Sequence, residues 1–276
     1  LMDRRVLSLG RQADRRFEAM IPEGAESALI VEQTGNSQQE VQARIARVVS
    51  AARSVAQTTR VAYEEYDFEK VELLWSLPRR VVSLLTRLKG ADRPLPFVED
   101  IAVPPETLHE FLFDAQRVFQ KHEVTASLYA HAAAGQLHLR PFLPSPTAAT
   151  AELIENLSRD LYEVVFRIGG TISGEHGDGL SRTAFIRSQY GPLYRVFRYV
   201  KDLFDPDHLL NPGKIISDDP HLTIRNFRPI PDPSPQLVEL ELNWSGEELL
   251  ESALDCNGCG ICRTRATTER MCPFFR

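Results

Sequence analysis

All four cysteines of this 276-residue chain lie between positions 256 and 272, and the first 255 residues contain none. Whatever folds ahead of that cluster must be held by a packed apolar core and by hydrogen bonds, with no covalent staples. The composition permits this, since 43% of residues are hydrophobic and 25% charged, too apolar for bulk disorder. A net charge of −6 without a sustained Lys/Arg run argues against nucleic acid or an anionic membrane surface as the main partner. No apolar stretch approaches the roughly 20 residues that span a bilayer. The opening residues, Leu1-Met2-Asp3-Arg4-Arg5, do not read as following a signal peptide. Cysteines gathered at one end read as a metal or iron–sulfur site, and a reducing, cytoplasmic compartment is the expectation.

Along the chain, β-branched and helical periodicities alternate. Residues 28–34 read as a strand. Ser37 and Glu40 resemble a capping box, and Val41, Ile45, Val48 and Ala52 behind them predict a helix over 38–57. Val71, Leu74 and Trp75 mark a second helix, with a kink or break expected at Pro78. Residues 97–103 look like a strand stopped by Pro104-Pro105, and Leu108 to Phe119 carry a third helix. Strands at 124–130 and 136–140 follow, then a helix through Leu153, Leu157 and Leu161, then a helical stretch over 182–204 broken at Gly191-Pro192. The order predicts an α+β fold, an antiparallel sheet covered by helices on one face. Four prolines from Pro229 to Pro235 predict an extended linker before the cysteines. The expected division is a domain over 1–223, a linker over 224–254 and an iron–sulfur segment over 255–276.

Two constellations carry chemistry. Five of the 15 glycines fall between Gly169 and Gly179, around the adjacent pair Glu175 and His176. So many residues without a Cβ permit sharp turns and close approach to a ligand. The bland reading, a polar turn, is outweighed by an acid and a base embedded in that glycine. The second constellation is His131-Ala-Ala-Ala-Gly-Gln-Leu-His138. If the flanking strands form a hairpin, both imidazoles meet at its tip, with His138 and Arg140 on the face opposite Leu137 and Leu139. Paired imidazoles favour a divalent metal, with Glu175 a candidate carboxylate ligand; two solvent-facing histidines without a role are the even alternative.

Phe97-Val-Glu-Asp-Ile-Ala-Val-Pro104, His131…His138, Gly170-Thr-Ile-Ser-Gly-Glu-His-Gly177 and Asn211-Pro-Gly-Lys-Ile215 occur in that order. The chain over 1–218 thereby resembles the C-terminal domain of FAD-linked oxidases of the vanillyl-alcohol oxidase superfamily. The likeness is greatest to the glycolate oxidase, D-lactate dehydrogenase and D-2-hydroxyglutarate dehydrogenase branch. The resemblance implies FAD as cofactor and a small 2-hydroxy acid as substrate. It implies a divalent metal, usually zinc, on His131, His138 and Glu175, and a proton-removing base at His176. Asn211, Lys214, Gly174 and Gly177 fall where relatives approach the flavin. Relatives often carry Gly-Asp-Gly-Asn where this chain has Ala133-Ala134-Gly135-Gln136. They also place a carboxylate-binding arginine after Leu-Trp, where Pro78 stands here, so Arg79, Arg80 and Arg140 are the candidates for that contact.

Cys256-x-x-Cys259-x-x-Cys262 followed by Cys272-Pro273 is a ferredoxin-type pattern for a [4Fe–4S] cluster, with zinc as the weaker alternative. It resembles large bacterial members that join such a segment to the flavoprotein. Electrons would then pass from reduced flavin towards a quinone or an electron-transfer protein. The family's FAD-binding domain does not occur in this sequence, so the chain reads as a fragment, inactive alone and with its cluster ligands incomplete. The resemblance leaves room for peripheral membrane association of the full protein and for a homo-oligomer. Two rival readings are a non-catalytic electron-transfer or docking module, and a metal-independent FAD oxidase of alcohols or phenols.

Overall fold

A computed structural model describes residues 1–225, apart from 56–59, 62, 87, 89–91 and 145–146. In chain order the elements are β1 (Met2–Asp3), α1 (Arg4–Ala13), α2 (Arg16–Met20), β2 (Ser27–Ala28), α3 (Gln38–Val55), α4 (Phe68–Arg79) and α5 (Val81–Leu85). Then come β3 (Arg93–Pro94), β4 (Ile101–Ala102), α6 (Leu108–Lys121), β5 (Thr125–His131) and β6 (Gln136–Leu143). Helices α7 (Ala148–Arg167), α8 (Gly179–Tyr190), α9 (Tyr194–Phe204) and α10 (Leu222–Arg225) complete the described part. The strands form one antiparallel sheet in the order β2-β1-β5-β6-β3, with β4 also paired to β6. The α+β class expected from the sequence is what the chain adopts.

Alternation along the β5–β6 hairpin sorts its side chains onto two faces. Ala130, Leu137, Leu139 and Leu143 join Phe111, Ala115 and Phe119 of α6 and Ile154, Leu157 and Leu161 of α7 in the larger core. Tyr129 and Phe142 point the other way, against Val6 and Leu7 of α1, Phe17 of α2 and Leu84 and Leu85 of α5. Helices therefore lie on both faces, not on one. The smaller cluster occupies only one end of the second face; His131 and His138 take the other end.

Three elements depart from expectation. The strand over 28–34 shrinks to Ser27–Ala28, which pairs with β1 in the register Met2↔Ala28 and Asp3↔Ser27; on the far side the chain leaves the ladder after Asp3, whose carboxylate caps α1 by accepting from the Val6 N–H at 2.8 Å. Beyond Ala28, Leu29 and Val31 are exposed, and Glu32 accepts from the Trp75 indole N–H at 2.6 Å. The strand over 97–103 shrinks to Ile101–Ala102, since Asp100 takes a left-handed φ of +73° that no ladder accommodates. Pro78 sits inside the last turn of α4, and the turn to α5 comes at Arg80. By contrast, the expected break at Gly191-Pro192 is present as a 3₁₀ turn between α8 and α9. The capping box of α3 is half formed: Ser37 Oγ accepts from the Glu40 N–H at 3.3 Å, while the Glu40 carboxylate accepts from Asn36.

Helix α9 carries apolar residues on both sides. Its inward side holds Tyr194 and Phe197 against the larger core, with the ion pair of Lys201 and Asp205, the residue that closes the helix. Its outward side carries Val196, Tyr199, Val200, Leu203 and Phe204, the last 78% exposed. Among the described residues no helix is long and apolar enough to cross a membrane.

Candidate functional site

The hairpin tip is shaped by Gly135, which has φ +66° and abuts Val103 so closely that a Cβ would stand 1.9 Å from its carbonyl oxygen. The tip pairs His131 with Gln136 and Tyr129 with His138, which places all four side chains on one face. The His131 ring meets His138 edge-on at 5.4 Å, and Tyr129 stacks on His138 at 5.4 Å while meeting His131 edge-on at 5.1 Å. The expected meeting of the two imidazoles at a hairpin tip is therefore what the chain forms.

The glycine loop enters from α7. Thr171 and Ala102 exchange backbone hydrogen bonds of 3.0 and 2.7 Å, and the Gly174 N–H donates to the Asp100 carbonyl at 2.8 Å. Gly170 permits this approach, because a Cβ there would lie 2.7 Å from the Ala102 carbonyl oxygen. The loop thus runs along the segment around β4, and Glu175 and His176 arrive beside His138. Atoms of Asp100, His138, Glu175 and His176 that could ligate an ion all lie within 4.8 Å of one another.

These four groups do different work. Asp100 is fully buried, and both of its oxygens are occupied. Oδ1 accepts from Gln136 Nε2 at 2.7 Å and the Glu175 N–H at 2.9 Å; Oδ2 accepts from Ser173 Oγ at 2.9 Å and the His176 N–H at 2.8 Å. Burial pushes its carboxyl up, but those donors outweigh burial and hold it below the usual carboxylate range. With its lone pairs spent, Asp100 organises the loop and is not a metal donor. That leaves His138 Nε2, 3.4 Å from Glu175 Oε1, and His176 Nε2, 3.5 Å from the same oxygen. Imidazoles and a carboxylate are the chemistry that zinc prefers, so the donor types fit the implied metal; of the expected ligands His138 and Glu175 stand together, while His131, 5.4 Å ring to ring from His138, lies outside that group. Burial first, and the neighbouring His138 second, push the His131 imidazolium down against the pull of Glu175, which favours the neutral ring a metal needs.

Behind the rings lies Glu99, whose Oε1 is 3.8 Å from His138 Nδ1 and 3.5 Å from His176 Nδ1. Its other oxygen pairs with the Arg140 guanidinium. Burial raises the Glu99 carboxyl, yet His138, Arg140 and His176 together hold it below its ordinary value. Burial also pulls the Arg140 guanidinium down, and Glu99 opposes that pull. Arg182 of α8 fastens the arrangement from below by donating to the Glu99 carbonyl and, at 2.8 Å, to the Gly177 carbonyl.

Of the expected carboxylate-binding arginines, only Arg140 joins this cluster. Arg79 pairs with Glu72 and Arg80 with Asp14, both on the surface near the end of α4. Asn211 (φ +45°) and Gly213 (φ +74°) make an exposed turn in which Lys214 Nζ donates to Asn211 Oδ1 at 3.1 Å. Gly177, with φ +75°, gives the loop its turn after His176. Cys256, Cys259, Cys262 and Cys272, the proline linker and the iron–sulfur segment lie outside the described residues. Sequence reasoning gave no role to Glu99, Asp100 or Gln136. The signal was two adjacent acids in an apolar run, where a carboxylate is tolerated only if bonded.

Residues 1–215 match the family described as FAD linked oxidases, C-terminal domain. D-2-hydroxyglutarate dehydrogenase of Haemophilus influenzae is 29% identical over 259 residues, covering 90% of this chain and 24% of that protein. The protein of that name from Pseudomonas putida is 31% identical over 252 residues, again covering 90% of this chain and 24% of the relative. Glycolate oxidase subunit GlcD of Bacillus subtilis is 25% identical over 213 residues, 72% of this chain and 41% of that protein. The chain spans about a quarter of the length of the first two relatives. A match that takes in most of the chain, and with it every residue of the His138–His176–Glu175 cluster, settles the family: the chain belongs to the FAD-linked oxidases and carries their C-terminal domain.

Proposed function

We propose that this chain is the substrate- and metal-holding part of an FAD-dependent dehydrogenase that oxidises a D-2-hydroxy acid to the 2-oxo acid. D-2-hydroxyglutarate heads the substrate list because the relatives over 90% of the chain carry that name; D-lactate and glycolate follow. The observation that carries the reading is the convergence of His138, from a hairpin, with Glu175 and His176, from a glycine loop on another part of the chain. Bound FAD would supply the hydride acceptor, and a divalent metal, zinc, the Lewis acid that polarises the hydroxyl. His131, His138 and Glu175 would hold that metal. His176, whose side chain is 45% exposed, would take the hydroxyl proton while the C–H electron pair leaves as hydride. Arg140 is the candidate for the substrate carboxylate, and Asn211 and Lys214 for the flavin side. In this reading residues 1–223 form the domain, 224–254 link it to the 255–276 segment, and a [4Fe–4S] cluster takes electrons onward to a quinone or an electron-transfer protein.

The test is flavin bleaching by D-2-hydroxyglutarate, D-lactate and glycolate in the protein that contains this chain together with its flavin domain. Bleaching by at least one is expected, and His176→Gln should slow it by roughly a hundredfold or more. No bleaching with any of the three would overturn the reading. Zinc bound one-to-one to the chain, and lost in the His131→Ala/His138→Ala double variant, would separate it from a docking module or a metal-independent oxidase.

A further inference from the structure

We infer that Glu99 is a positioning residue: its buried carboxylate holds the Nδ1 side of both His138 and His176, leaving the two Nε2 atoms turned to Glu175 with their lone pairs free. The inference rests on the functional reading above for its purpose and on geometry for its content. One oxygen, Glu99 Oε1, faces both Nδ1 atoms, at 3.8 Å and 3.5 Å. Both Nε2 atoms face a different carboxylate, Glu175 Oε1, at 3.4 Å and 3.5 Å. The two rings therefore stand between two acids in the same orientation, with centroids 5.4 Å apart.

A neutral imidazole has one N–H to give, and it goes to the stronger fixed acceptor. Glu175 is 49% exposed at the side chain, so water competes for it and screens it. The Glu99 side chain is 9% exposed, and its position is set from two directions. Arg140 takes the far oxygen, and Arg182 takes the Glu99 backbone carbonyl. A carboxylate so held is the better acceptor, because it is neither hydrated nor free to turn away. Oε1 has two lone pairs, one for each ring. Closing the present gaps to hydrogen-bond length needs a movement of roughly 0.6–0.9 Å at the ring edge. In metal sites, an outer carboxylate that fixes the tautomer of an imidazole in this way typically changes affinity ten- to hundredfold. The same contact would leave His176 with its Nε2 lone pair available to accept a proton. Arg140 then serves first as the counter-charge to Glu99.

Two-bond ¹H–¹⁵N spectra of the metal-free 276-residue chain, at about pH 8 where imidazoles are neutral, read the tautomer of each histidine directly. His138 and His176 are expected in the Nδ1–H form. The isosteric Glu99→Gln variant should move both towards Nε2–H and leave His122 and His221, which pair with Asp160 and Glu155 of α7, as they were. Zinc titrated into the same variant should bind roughly ten- to hundredfold more weakly than to the unaltered chain. Either ring found as Nε2–H in the unaltered chain, unchanged tautomers in Glu99→Gln, or a zinc affinity within about twofold would overturn the assignment. If the unaltered chain binds no zinc, the metal part of the functional reading fails, and the tautomer spectra decide the role of Glu99 without it.

Discussion

Replacing Asp100 with asparagine would keep its shape and turn one acceptor oxygen into a donor. The carboxylate receives hydrogen bonds from Gln136, Ser173 and the backbone of Glu175 and His176, so an NH₂ group there must face other donors. The expected cost is roughly 2–3 kcal/mol, from lost charge-assisted bonds and donors left unpaired, measurable by urea denaturation. Hydrogen exchange at the Glu175 and His176 amides should accelerate more than elsewhere. Gly135→Ala tests the other half of the site. With φ at +66° and the Val103 carbonyl in the way, the tip must shift, and a loss of about 2 kcal/mol or more is expected by the same melts. Both positions bear on how far the site could be read from the sequence. The glycine loop and the histidine spacing were visible as composition and pattern. Glu99 and Asp100 were visible only as letters in an apolar run, because a left-handed residue that leaves the sheet to bond a loop 75 positions later has no local periodicity.

At the level of elements, short strands are where sequence patterning overreached. Residues 28–34 and 97–103 are apolar enough for strands, but pairing keeps only Ala28 of the first and stops at the left-handed Asp100 in the second. Helices fared better, since α6, α7 and the α8–α9 break follow from periodicity and Gly-Pro chemistry that each element carries within itself. The end of α9 offers a pH prediction. Lys201 first, and then the Leu210 and Leu209 N–H groups, hold the Asp205 carboxyl down to about 2, against an ordinary value of 3.8. A depressed folded value stabilises the turn over 205–210 above the ordinary value, and that stability is lost as the pH falls through about 2. Exchange at the Leu209 and Leu210 amides, corrected for intrinsic rates, should therefore rise between about pH 4 and pH 2. Asp205→Asn should show the faster exchange already at neutral pH.

For the whole molecule, the sheet separates two apolar clusters that share no buried side chain. Leu157→Ala in the larger one and Phe17→Ala in the smaller should each cost roughly 3–4 kcal/mol. Because the sites lie on opposite faces, the double variant should equal the sum within about 0.5 kcal/mol, as measured by urea titration of the three chains. A departure beyond that would mean the two sites are energetically coupled through the sheet. Metal affinity should respond differently, since the second cluster shares its sheet face with the histidines while the first lies behind them. The exposed side of α9 reaches beyond stability to how the chain behaves as a substance. Its outward row of Val196, Tyr199, Val200, Leu203 and Phe204 turns apolar surface to solvent, so the preparation's shelf life and concentration limit should follow that row. Charging it with Leu203→Lys and Phe204→Glu should raise the concentration at which light scattering begins, without moving the melting curve.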